Sequence, residues 1–192
     1  MTADRLLVRD LVFAAAAGIA IAAACGLRAF LPLLAVGVAG RLDVIHLGPD
    51  VRWLEATPTL VCFGVATLLE TAGDKVPMID HALDVIGTAV RPLAGWLAAF
   101  ALLDHWPAPW AQITALVLGG GALAVHSLKA KSRLGSTLLT LGHASPVLSL
   151  IEDAATLALV AVAILAPLLA LSLAIVLIVA FARRRRAAGT TG

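Results

Sequence analysis

Tyrosine is absent from this chain of 192 residues, and only four tryptophans and two cysteines occur. Charged residues make up 14% of it, against about 25% in an ordinary soluble domain. With 61% hydrophobic residues and a mean hydropathy of +1.00, the chain has more apolar surface than one core of this size can bury. That excludes a soluble globular domain and points to lipid as the solvent. Cys25 and Cys62 lie in apolar stretches with no CxxC or metal spacing, which leaves them as small packing residues. No nucleophile motif, phosphotransferase carboxylate signature or His-Glu-x-x-His is present. These absences weigh against an enzyme without deciding the question, and no cofactor is expected.

What is present is a series of long apolar runs interrupted by charge. Asp4, Arg5, Arg9 and Asp10 precede the first run without a clear small-residue cleavage site, so the first segment is expected to be retained. Residues 11–40 carry one charge, Arg28, and Pro32 follows it. A single helix here would be about 45 Å long, against roughly 30 Å of hydrocarbon. Either the helix breaks near Arg28–Pro32 or it is long and tilted. Residues 41–55 are a mixed polar loop, and Pro58 opens an uncharged helix toward Leu69. Trp106 and Trp110 flank a proline-containing turn, where interfacial anchors are expected. The run Arg183–Arg186 directly after the last apolar segment marks a cytoplasmic C-terminus and not a nucleic-acid contact. Residues 154–182 are free of charge and make either one steeply tilted helix or a hairpin at Pro167.

The densest charge in an apolar setting lies at 68–95. Glu70, Asp74, Lys75, Asp80, Asp84 and Arg91 occur there between breakers at Gly73, Pro77 and Pro92. Asp80, Asp84, Thr88 and Arg91 share one side of a 3.6-period helix. Pro92 is expected to stop or bend that helix, leaving a polar half-helix followed by an apolar one. Ionisable groups inside a membrane are costly and are retained for function or assembly. A second stretch, 126–153, holds His126, Lys129 and Arg133 on one helical face, then His143 in a Gly-His-Ala-Ser-Pro break, then Glu152 and Asp153. The first three are expected in a positive-inside loop, and the acidic pair as a cap of the last helix. Both stretches show an apolar helix, a charged turn, a polar half-helix (Asp80–Arg91, Ser136–His143), a proline and another apolar helix. The layout fits an internal repeat of the kind used by transporters or a chance alignment of proline-broken apolar segments.

GLRAFLPLL at 26–34, LLETAGDKVPMID with VRPLAG within 68–95, and HSLKAKSRLGSTLLTLGHASPVLSLIED at 126–153 occur in this order. With them the chain resembles the bacterial multi-pass membrane family catalogued as domain of unknown function 4126. HASP at 143–146 departs from the Gly/Asn-Pro turn expected there. The resemblance implies a small helical inner-membrane protein and carries no activity with it.

The expectation is thus an all-α polytopic membrane bundle of about five to seven segments, some broken or re-entrant. Residues 1–182 would form one transmembrane domain, and 183–192 a basic cytoplasmic tail. Transport or permeation of a small solute or ion is the leading function. Arg28, Glu70, Asp74, Lys75, Asp80, Asp84 and Arg91 would form its polar centre, with carboxylates as proton relays or cation ligands. The alternatives are a lipid-handling or enzymatic protein and a structural scaffold. In the lipid-handling reading, His126, Lys129, Lys131 and Arg133 would meet a phosphate headgroup, and Glu152, Asp153 and the 70–84 carboxylates would hold Mg²⁺. The expected partners are the bilayer, a small solute or ion, and further copies of the chain through Gly119–Gly121. No nucleic acid is expected.

Overall fold

The computed structural model of the chain describes residues 2–74, 77–140, 145–165 and positions 175, 176 and 179. Side chains are described within these from residue 11 on, except at 77–81, 133–140 and 145–146. Lys75, His143, Pro167 and the tail at 183–192 lie outside the described residues, as do the side chains of Asp80 and Arg133.

The described residues form an all-α bundle of six α-helices: α1 (Thr2–Leu27), α2 (Phe30–Arg41), α3 (Thr57–Gly73), α4 (Pro77–Leu103), α5 (Trp110–Thr140) and α6 (Ser145–Leu165). A single 3-10 turn, Arg52–Glu55, precedes α3. Ala82–Leu103, Trp110–Ser132 and Val147–Leu165 are long and apolar enough to cross a membrane, and Leu11–Leu27 and Phe30–Arg41 are shorter apolar helices. These five segments are joined by large exposed aliphatics such as Val61, Leu68, Leu93, Leu116 and Val117, which in a membrane face lipid.

The core is made of small residues. Alanines 20, 24, 98, 99, 115 and 122 are buried, and glycines bring the backbones together. A Cβ on Gly26 would lie 2.6 Å from the Ala122 carbonyl oxygen, and one on Gly95 would lie 2.6 Å from the Ala122 Cβ. Small-residue seams of this kind replace hydrophobic burial as the association force in lipid. Gly18 meets Leu103 and Leu118, while Gly26 meets Ala122 and Val125. α1 therefore runs antiparallel to α4 and parallel to α5. After the break, Ala29 and Phe30 touch Glu70, which pairs with Arg91, whereas Gly48 beyond α2 sits against Asp104 at the far end of α4. α2 thus returns alongside α4, and α1–α2 is a hairpin whose tip is Arg28–Ala29.

Of the break and the long tilted helix left open at Arg28–Pro32, the structure has the break, and three other expectations are corrected. Pro92 does not cut its helix: α4 runs through it from Pro77 to Leu103. α5 packs on that turn, with Gly119 placed so close that an added Cβ would lie 2.6 Å from the Pro92 carbonyl oxygen. Proline is tolerated inside membrane helices where neighbours hold the turn. The basic stretch 126–133 is no loop, because α5 continues through it to Thr140; the polar side chains His126 and Lys129 turn into the bundle instead of ending the helix. The repeat layout fails for the same reason. One region breaks before its polar helix and the other after it, so the polar segment Ser136–Thr140 is the end of α5 and not a separate half-helix.

Candidate functional site

Arg28 needs partners as soon as it is carried into the bundle, and the break in α1 supplies backbone groups that need partners too. The two needs are met together. The last carbonyl of α1, on Leu27, accepts from Lys129 Nζ at 3.0 Å. The first amides around α2 donate to the Glu70 carboxylate, Ala29 N–H to Oε1 at 3.0 Å and Phe30 N–H to Oε2 at 3.3 Å. A carboxylate from α3 therefore caps α2, where a negative charge also meets the positive end of the helix dipole.

From this junction ion pairs extend through the bundle. Arg28 Nη1 donates to Asp74 Oδ2 and, at 3.3 Å, to the Glu70 carbonyl. Its Nη2 donates to Ser149 Oγ at 2.9 Å. Its Nε lies 2.7 Å from Asp153 Oδ1, an ion pair without aligned hydrogen-bond geometry. Lys129 Nζ is 3.1 Å from Glu152 Oε2 and 3.7 Å from Asp74 Oδ2. Arg91 Nη2 reaches Glu70 Oε1 at 3.5 Å, and Arg91 Nη1 meets His126 Nδ1. On its other side, His126 Nε2 lies 3.1 Å from the Asp84 carbonyl oxygen. A carbonyl only accepts and a guanidinium only donates, so His126 is the neutral Nε2–H tautomer. Arg28, Arg91 and Lys129 are each no more than 2% exposed. Asp153, 20% exposed, is the member nearest the surface.

The network is a buried polar layer on the side of the bundle away from the turn at 104–109. The ends of α1 at Leu27 and of α3 at Gly73 lie at this layer.

Of the residues singled out in the sequence, the layer brings together Arg28, Glu70, Asp74, Arg91, His126, Lys129, Glu152 and Asp153. Asp84 meets His126 through its carbonyl and lines a cavity of about 320 Å³ with Thr88, His126, Ser127 and Lys131 at the bundle's edge. Glu152 and Asp153 are not caps of the last helix, since α6 begins two turns earlier at Ser145; burial opposite Lys129 and Arg28 places them in the network. His126 and Lys129 face inward, so neither is presented to a headgroup at the surface. The carboxylates meet cations of their own chain, and among the described residues no three His, Cys, Asp or Glu side chains group as a metal site. Ser149 was missed; a serine two turns before a large apolar run carries no signal of its own.

The chain's ordered motifs and this helical architecture agree with a family match over most of its length. The chain belongs to the DUF4126 family. The family's model, described as a domain of unknown function, matches residues 15–186. The match takes in α1 from residue 15 on, α2 and all residues of the polar layer. No curated protein and no solved structure matches the chain. The family thus supplies kinship without an activity, and the chemistry has to be argued from the layer itself.

Proposed function

We propose that this protein conducts protons or small cations across the bacterial inner membrane, with the polar layer as its closed gate. The observation that carries the reading is a buried ion-pair network in which Glu70, Asp74, Glu152 and Asp153 meet Arg28, Arg91 and Lys129 from separate helices. Carboxylates in a low-dielectric site are groups that can take up a proton or hold a cation when their pairing shifts. Asp153 is the entry to the network. The α1–α2 break brings backbone groups into the same network, where Lys129 and Glu70 hold them, as in transporters built on discontinuous helices. In this reading residues 1–182 are one transmembrane domain, the tail 183–192 is cytoplasmic, and the protein works as a homo-oligomer through the exposed Gly120 and Gly121.

The pairing itself favours a second reading, a scaffold in which the layer only locks the α1–α2 hairpin into the bundle. Proteoliposomes separate the two. The conducting reading expects proton or potassium flux above that of empty liposomes, reduced about tenfold or more by Asp153→Asn and little changed by Asp84→Asn, with melting temperatures near that of the parent. Absence of flux from folded parent protein, or equal flux with Asp153→Asn, would sink it in favour of the scaffold.

A further inference from the structure

α3 stands apart from α4 over most of its length, and the gap is a groove open to the side of the bundle. Its wide part, about 640 Å³, is lined by apolar residues from Trp53 and Cys62 to Leu93 and Trp96. A second cavity of about 280 Å³ continues it, Phe30 and Val90 lining both, and ends at Glu70 and Arg91. The groove is thus apolar along its length and polar at one end.

At that end one donor is left over. Arg91 Nε is buried and has no hydrogen-bond partner among the described residues, although the other two guanidinium nitrogens are engaged by His126 and Glu70. It lies 3.2 Å from where a Gly87 Cβ would be, and Gly87 lines the same cavity. A buried donor without an acceptor is destabilising, so the end of the groove is built to receive an acceptor. The Glu70 carboxylate beside Arg91 makes that end formally neutral, which disfavours a charged head in an apolar setting.

We propose that this groove binds an uncharged lipid of the diacylglycerol kind, one acyl chain lying between α3 and α4 and an ester carbonyl accepting from Arg91 Nε–H. The acyl chain finds an apolar channel of the size that holds small amphiphiles. The carbonyl satisfies the donor without meeting Glu70 as a second negative charge. The proposal is independent of ion conduction.

Cys62, exposed and unpaired by any disulfide, offers a reporter inside the groove, while Cys25 is buried. The full chain in nanodiscs, labelled at Cys62 with a polarity-sensitive fluorophore, would be titrated with dioleoylglycerol and, separately, with oleate. A saturable response to dioleoylglycerol, at least about tenfold tighter than to oleate, is expected. Val90→Trp, which fills the junction of the two cavities without touching the ion pairs, is expected to abolish the saturable response while the melting temperature holds. Arg91→Lys is expected to weaken it. A response that never saturates, one equal for the two lipids, or one unchanged by Val90→Trp would overturn the proposal and leave a surface wetted by bulk lipid.

Discussion

Two turns of this bundle carry the same warning in the sequence and behave in opposite ways. Arg28 with Pro32, and Arg91 with Pro92, each place an arginine before a proline in an apolar run. At the first the helix ends at Leu27 and restarts at Phe30; at the second α4 passes through without interruption. The prolines do not explain this. Pro32 falls in the first turn of α2, where its missing N–H removes no bond, so it accommodates the break without making it. The difference is in what meets the backbone. At Arg28 the freed carbonyl and amides find Lys129 and Glu70. At Pro92 the neighbouring surface is the glycine of α5, which offers close contact and no hydrogen-bonding side chain. A membrane helix breaks where charged partners from other helices take over its backbone groups.

Substitutions can test that contrast. Arg28→Ala has the largest expected effect. It leaves Asp74 and Asp153 without the cation between them, and breaking a buried ion network of this kind costs about 3–5 kcal/mol. The protein is expected to lose its cooperative melt in detergent, or to melt far below the parent. A melt close to that of the parent would mean that the hairpin tip does not depend on Arg28. Gly119→Leu comes next. It drives a side chain into the Pro92 turn and into Trp96, at an overpacking cost of about 1–3 kcal/mol. Gly64→Leu, on α3, meets open space and is expected to leave the melt unchanged. Equal losses at both positions would show that the α4–α5 seam is not what holds the Pro92 turn. Pro92→Ala should do least, within about 1 kcal/mol, because the helix is already continuous there; a large gain or loss in the melting temperature would show that proline bends α4 in a way the bundle needs.

The predictions also mark how far the candidate site could be read in advance. Arg28, Glu70, Asp74 and Arg91 stood out because each is a charge in an apolar run, a local property. Lys129 and His126 carried the same local signal and pointed the other way, since basic residues at the end of an apolar run also mark a cytoplasmic loop. Glu152 and Asp153 resembled a helix cap. What distinguishes these readings is the partner. Lys129 bonds Leu27 across 102 residues, and Arg28 reaches Ser149 across 121. No window of sequence spans those distances.

From composition and hydrophobic period alone came the membrane class, the all-helical architecture and the presence of a buried polar centre. Each depends on the balance between a segment and its solvent, which a short stretch of residues determines. Tertiary packing alone decided that α5 continues through its basic residues, that Pro92 stays inside a helix, and that a carboxylate of α3 caps α2. These depend on whether a group several helices away satisfies a charge or a backbone bond, and only the folded bundle brings the two together.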